Sequence, residues 1–286
     1  MASPSDILIL GGTGFIGAAL ADHLVGAHKV VALGSAAGDL SDAETARAIV
    51  GQHVGPKTTI IFAAAKVRRD GDTQDAAAQN IAFAVNLRLA LEGVSFRQLV
   101  VFSSFDVFGQ QREAISAQSP LHPSTHYGYA KCCVEYNLMD IQGALPPLVL
   151  RLPGVYGQGD RQKSVLGRFV HQARAGEMLT INGDGEQRRE YLFVDDLKRL
   201  LKRMIDADLT GRWNLNPGQS ISINGLVRMI EEALGRPVAV QHQPDQGESI
   251  QVQYAPSLVT QRFDGFAFTP LRDGIKIYLQ EDGNDV

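Results

Sequence analysis

The chain has 286 residues, 44% of them hydrophobic, with 27 basic and 31 acidic side chains for a formal net charge of −4. That length buries a full core as one α/β domain or as a large domain with a smaller appendage, and the lack of a basic excess argues against nucleic acid or an anionic membrane as the main partner. No apolar run reaches the roughly 18 residues of a spanning helix, and residues 1–6 lack the basic start and apolar stretch of a secretory signal, so no membrane partner and a cytoplasmic location are expected.

Ile7–Leu10 is a short apolar run ending in glycine, and Phe15–Val25 follows with Phe15, Ile16, Leu20 and Leu24 at helical spacing. Val30–Leu33, Thr59–Ala63, Leu99–Phe102 and Leu148–Leu150 read as further buried strands, with helical segments between most of them. Alternation of this kind predicts a Rossmann-type, doubly wound parallel sheet. Only Gly34 to Gly38 separate the second strand from Asp39-Leu40, too few for a parallel crossover, so one strand–helix unit is expected to be missing there. After Arg151 the texture changes to glycine-rich turns at Gly154–Gly159 and Asn182–Gly185, with helices near Val165–Ala175, Asp195–Ala207 and Ile223–Leu234. The expected division is a dinucleotide-binding core over 1–151 and, over 152–286, mainly a substrate-binding cap with some segments returning to the core. The cleft is expected between the halves.

Gly11-Gly12-Thr13-Gly14-Phe15-Ile16-Gly17 lies between the first strand and its helix. Gly11 lets the chain turn, Gly14 lets backbone approach a pyrophosphate, and Gly17 lets helix pack close to strand, with the N–H groups around Phe15 and Ile16 facing the phosphates. A nicotinamide dinucleotide is the cofactor that this pattern implies. The second strand ends in Leu33-Gly34-Ser35-Ala36, with no acid to hold the ribose hydroxyls and no arginine for a 2′-phosphate. Lys66, Arg68 and Arg69 either reach round to such a phosphate or form a solvated basic turn, so NAD and NADP both stay open.

Tyr127 and Lys131 stand at i and i+4 of a helix whose start suits Pro123-Ser124-Thr125. An ammonium one turn from a phenol favours phenolate and makes a usable base. Ser104 follows Ser103 at the carboxyl end of the strand Leu99–Phe102, where doubly wound folds bind ligands, and can hydrogen-bond the reacting oxygen. Ser104, Tyr127 and Lys131 are therefore the catalytic candidates. Asp106 is a substrate-side acid or a strand-end hydrogen-bonding group. The seven histidines show no zinc-type spacing, so no metal is assigned. Cys132 and Cys133, adjacent in a helical segment, are read as small packing residues of a reducing compartment.

With these motifs the sequence resembles the extended short-chain dehydrogenase/reductase family of sugar-nucleotide epimerases, dehydratases and ketoreductases, over nearly the whole chain. The likeness adds Asp39-Leu40 at the adenine, Ala63-Ala64-Ala65 beside the cofactor, Asn80-Ile81 with Asn86-Leu87, and Ser103-Ser104-Phe105-Asp106-Val107-Phe108-Gly109. Pro153, Gly154 and Val155 match the segment lining the nicotinamide and the substrate phosphates, and Arg189-Glu190-Tyr191 through Asp196 matches the run whose arginine pairs with a nucleotide diphosphate. By that resemblance Ser103, Tyr127 and Lys131 also touch cofactor, while Ser104, Phe105, Asp106, Tyr127, Gly154 and Arg189 meet substrate. It further implies a homodimer, through the helices carrying Asn80–Leu91 and Tyr127–Met139.

Two departures bear on substrate. Gly154 replaces a substrate-side asparagine, and Asp245-Gln246-Gly247-Glu248 replaces Arg-x-Gly-Asp, so one diphosphate-binding arginine is lost. Phe105 replaces the acid of 4,6-dehydratases, which disfavours dehydration. The expected activity is hydride transfer at a sugar carbon by an NAD(P)-dependent epimerase or related oxidoreductase acting on a nucleotide sugar. An NADP(H)-dependent 4-ketoreductase of a deoxysugar nucleotide is the nearest alternative, and a non-catalytic NAD(P)-binding regulator is the alternative of another class.

Overall fold

The computed structural model describes residues 6–68, 71–109, 114–160, 164–244 and 253–281. In chain order the first elements are β1 (Asp6–Leu10), α1 (Phe15–Leu24), β2 (Lys29–Leu33), α2 (Ala43–His53), β3 (Thr59–Phe62), α3 (Gln74–Leu91), β4 (Gln98–Ser104), α4 (His126–Leu138) and β5 (Leu148–Leu152). There follow β6 (Gly154–Tyr156), α5 (Val165–Ala175), β7 (Leu179–Asn182), β8 (Arg188–Arg189), β9 (Tyr191–Phe193), α6 (Val194–Asp206) and β10 (Gly211–Asn214). The last are β11 (Ile221–Ser222), α7 (Ile223–Leu234), β12 (Val240–Gln243), α8 (Val259–Arg262) and α9 (Leu271–Glu281).

Two compact units share the chain. The first takes the described residues of Met1–Gly109, Pro120–Arg151 and Lys198–Trp213, and the second those of Gln110–Ser119, Leu152–Leu197 and Asn214–Val286. The main sheet has six strands in the order β10-β5-β4-β3-β1-β2, and the pairs β1–β2, β1–β3 and β3–β4 are parallel. This is the doubly wound α/β fold that the alternating pattern predicts. β2 is its edge strand, followed only by a short 3-10 turn at Ser35–Ala37 before α2, so the missing strand–helix unit is borne out. The central strands are buried on both faces, which is why they read as continuous apolar runs.

The core of the first unit joins Leu8, Leu10, Ile60, Phe62, Leu99 and Val101 of the sheet to Phe83, Leu87, Val134 and Leu138 of the helices. Each such side chain contributes about 1.5–3 kcal/mol on burial. A separate core in the second unit packs Tyr156, Phe169, Tyr191, Phe193, Leu226, Ile230, Ile275 and Tyr278. There β6 runs parallel to β9, β7 parallel to β12, and β8 antiparallel to β11.

Helix starts are written in hydroxyls and carboxylates. Asp42, Thr73, Thr125, Ser164 and Ser222 each accept a backbone N–H in the first turn of α2, α3, α4, α5 and α7. α1 differs: it opens on Gly14, with no side-chain cap. Among the described residues no helix is long and apolar enough to cross a membrane.

Candidate active site

The glycine loop is built by close contacts that no side chain tolerates. Gly11 takes φ +88°, and a Cβ there would lie 2.6 Å from the Ala64 nitrogen, while one on Gly17 would lie 2.9 Å from the Gly11 carbonyl carbon. The loop is tied to the end of β2 because the N–H groups of Gly11 and Gly12 both donate to the Leu33 carbonyl, at 2.9 and 2.8 Å. With no capping side chain, the first turn of α1 presents the N–H groups of Phe15, Ile16 and Gly17 with their partial positive charge at a partly exposed turn. Such a turn suits a pyrophosphate, and the residues present fit a dinucleotide.

Around it, the other expected cofactor residues divide into those that face outward and those that hold the frame. Asp39 is exposed, and hydrogen bonds from the Ser41 backbone and side chain hold its carboxyl below the usual carboxylate range. Leu40 is buried, and its carbonyl accepts from Asn86 Nδ2 at 2.9 Å. Asn80 is buried and spends both ends of its amide on one residue, accepting from Lys66 N at 2.7 Å and donating to Lys66 O at 2.9 Å. It thereby brackets the loop after β3 that begins with Ala63, Ala64 and Ala65. Ser103 likewise turns inward and donates to Glu135 Oε1 at 2.5 Å.

Ser104, Tyr127 and Lys131 all lie in the first unit, gathered round the end of β4. Thr125 caps α4 by accepting from Gly128 N at 2.9 Å, which starts the helix one residue before Tyr127. Lys131 is buried one turn on, its Nζ 5.7 Å from the Tyr127 ring centre and donating to the Phe102 carbonyl of β4 at 2.8 Å. Ser104 Oγ donates to Asp106 Oδ2 at 2.8 Å and accepts from Asp106 N at 3.1 Å, which caps the 3-10 turn Phe105–Val107. Asp106 Oδ1 accepts from Arg68 Nη1 at 3.1 Å, and Asp72 Oδ1 accepts the Tyr127 backbone N–H at 2.9 Å.

The electrostatics of this group differ from the sequence expectation in one respect. Burial raises the Tyr127 phenol well above its ordinary value, and the Asp106 carboxylate raises it further. Burial also pulls Lys131 down to about 8, partly opposed by Glu135. Desolvation and the Asp106 carboxylate, rather than the neighbouring ammonium, set the direction of the phenol's shift.

Phe105 is packed edge-on against Phe108, with ring centres 6.0 Å apart, and is buried. In the second unit Gly154 is exposed, Pro153 and Val155 are half-buried, and a Cβ on Gly154 would lie 3.2 Å from the Tyr191 ring. Arg189 is exposed on β8 and has no carboxylate partner among the described residues. Residues 245–248 and Arg69 lie outside the described residues. The Cys132 thiol is pushed up to about 11 by burial, which suits a packing residue.

Three residues that the motifs did not single out complete the frame. Glu135 and Arg151 form a buried pair, with Arg151 Nε 2.8 Å from Oε1 and Nη2 2.7 Å from Oε2. Glu135 is one further turn along from Tyr127 and Lys131, and Arg151 is the lone charge in an otherwise apolar strand; both signals stand in the sequence. Asp72, at the start of α4 in space, carries no such signal because it is 55 residues away in sequence.

The chain is 28% identical over 164 residues to the "Uncharacterized UDP-glucose epimerase YtcB" of Bacillus subtilis (strain 168), which covers 56% of this chain and only about half, 52%, of that relative's length. It is 24% identical over 277 residues to the dTDP-4-dehydro-6-deoxyglucose reductase of Escherichia coli, covering 84% of this chain and 85% of the reductase. Its fold matches that of the UDP-glucose 4-epimerase of Thermus thermophilus, solved in complex with NAD, with a TM-score of 0.84 at 20% identity over 98% of this chain and 100% of that one. The model of the NAD dependent epimerase/dehydratase family matches residues 7–215, and the chain belongs to that family.

Proposed function

We propose that the protein is an NAD(P)-dependent epimerase or related oxidoreductase that acts on a nucleotide sugar through Ser104, Tyr127 and Lys131. One observation carries the reading: Lys131 is pinned to β4 by the Phe102 carbonyl, Ser104 sits at the end of the same strand, and Asp106 bears on both Ser104 and Tyr127. The three candidates thus share one small volume beside the glycine cradle's sheet. A nicotinamide dinucleotide, when bound, supplies the hydride acceptor and donor.

Tyr127 takes the proton from a substrate hydroxyl or returns it to a carbonyl oxygen, and Ser104 holds that oxygen. Lys131, pulled down to about 8 by burial, lies 5.7 Å from the Tyr127 ring centre, where its ammonium form favours phenolate. Arg189, exposed and unpaired by any described carboxylate, suits a diphosphate. The names of the B. subtilis and E. coli relatives support a UDP- or dTDP-linked sugar. A homodimer fits α3 and α4, which carry Leu89, Tyr129 and Tyr136 at 41%, 58% and 80% exposure.

The test is a panel of UDP- and dTDP-sugars, and their 4-keto forms, incubated with NAD⁺ or NADPH and read by mass spectrometry. Epimerisation leaves the cofactor unchanged overall, whereas stoichiometric NADPH consumption identifies a ketoreductase. Tyr127→Phe is expected to lower kcat by roughly 10²–10⁴-fold. Undiminished turnover in that variant refutes the assignment.

A further inference from the structure

Two carboxylates attend the candidate site, and one guanidinium joins them. Asp106, after β4, takes the Ser104 hydroxyl proton on Oδ2 at 2.8 Å, and Asp72, ahead of α3, takes the Tyr127 backbone N–H on Oδ1 at 2.9 Å. Arg68, on the loop after β3, donates from Nη1 to Asp106 Oδ1 at 3.1 Å and brings its Nε to 3.9 Å from Asp72 Oδ2. The backbone is folded for this: the Gly71 N–H donates to the Arg68 carbonyl at 3.2 Å and Gly71 takes φ +130°, which returns Asp72 to the side of Arg68. The ends of β3 and β4 and the start of α4 are thus joined through one side chain.

Each contact limits what its neighbour can do. A hydroxyl has one proton and an ionised carboxylate only accepts, so Ser104 spends its donor on Asp106 until a reacting oxygen claims it. Asp106 Oδ2 then needs another donor, and the planar fork already bound to Oδ1 is suited to serve both oxygens. Without Arg68 the two carboxylates would repel each other and add negative charge beside Tyr127, against which the Lys131 ammonium acts from 5.7 Å off the ring centre. Arg68, Asp72 and Asp106 are 51%, 29% and 30% exposed at their side chains, so these ties add little to global stability and act on local geometry.

We propose that Arg68 is a positioning residue of the site: its fork holds Asp106 for the Ser104 hydroxyl and Asp72 for the first turn of α4, so that Ser104 and Tyr127 meet one substrate oxygen in register. The chemistry rests on the Ser104, Tyr127 and Lys131 reading above; the geometry does not. Hydrogen exchange of the Tyr127 amide, read by mass spectrometry on the full chain without substrate, tests that geometry. Arg68→Gln is expected to speed exchange about two- to fivefold, and Arg68→Lys by less, because a point charge keeps part of the attraction. Asp72→Ala removes the acceptor itself, and adding Arg68→Gln to it is expected to change nothing more at that amide, because Arg68 reaches it through Asp72. Unchanged exchange in Arg68→Gln overturns the proposal, as does an increment as large in the Asp72→Ala background as in wild type. Acceleration spread over the whole core overturns it too, since Arg68 would then merely hold the fold.

The pH profile of kcat/KM, measured with the sugar nucleotide that the panel above identifies, tests the action on the reacting groups. Arg68→Gln is expected to move the limb that Tyr127 governs to higher pH by about half a unit, because Asp106 then acts on the phenol unscreened. In an Asp106→Asn background the same substitution is expected to move it less. No shift, a shift to lower pH, or an equal shift in both backgrounds overturns the proposal. If no compound of the panel turns over, the proposed function falls, and amide exchange still decides the place of Arg68.

Discussion

Glu135→Gln removes one charge and almost no volume from the frame behind the candidate site. Glu135 and Arg151 are each only 3% exposed at their side chains, so the substitution removes the carboxylate charge that meets a buried guanidinium at two points. Arg212 lies 4.0 Å away, but it is 41% exposed and water serves it. Breaking a buried pair by removing one partner costs about 3–5 kcal/mol, out of a total stability of about 5–15 kcal/mol for a typical protein. At about 2–4 °C per kcal/mol, the melting temperature should fall by roughly 6–20 °C. Urea and thermal unfolding followed by circular dichroism measure this, and the double variant Glu135→Leu with Arg151→Leu should recover most of the loss because no charge is stranded. Glu135 also holds Lys131 up, so in the single variant the lysine should deprotonate below its present value of about 8. A loss no larger than the roughly 1 kcal/mol of an exposed ion pair would refute the argument, as would a double variant no more stable than the single.

Asp106→Asn removes the charge that raises the Tyr127 phenol. The phenol then deprotonates at lower pH, so the limb of the kcat/KM profile that Tyr127 governs, the acid limb in alcohol oxidation and the basic limb in carbonyl reduction, should move to lower pH; a profile that stays in place or moves up contradicts the assignment. Thr125→Ala deletes the cap of α4 and should cost about 1 kcal/mol in urea unfolding, with a fall in kcat because the first turn carries Tyr127. Arg189→Gln should raise KM for a nucleotide sugar with little change in kcat, since a diphosphate contact made equally in ground and transition state is uniform binding.

The parallel sheet is legible in the sequence because its central strands are apolar on both faces, and the starts of α2, α3, α4, α5 and α7 are legible because a hydroxyl or carboxylate stands before each. The glycine loop is legible for the same reason: Gly11 and Gly17 are demanded by contacts within a few residues or across one strand pair. Ser104, Tyr127 and Lys131 can be placed on their elements from spacing alone. Their environment cannot, since the Asp72 bond to Tyr127 N and the Arg68 bond to Asp106 span 55 and 38 residues. The bonds of Ser103 to Glu135 and of Asn80 to the Lys66 backbone, spanning 32 and 14 residues, are out of reach of spacing in the same way. The sign of the Tyr127 shift escapes the sequence on similar grounds: spacing shows the neighbouring lysine but not the burial that outweighs it.

The first unit gives up the chain at Arg151, receives it again at Lys198, and takes from that return the strand β10 at the border of its sheet. A gene fragment ending at codon 151 would therefore encode a sheet with one flank stripped and β5 open to strangers, and it should be prone to self-association. Shuffling between relatives has to respect the same stitching: a viable graft carries residues 198–213 along with the amino-terminal half, which is the stretch the family match also encloses by running to residue 215.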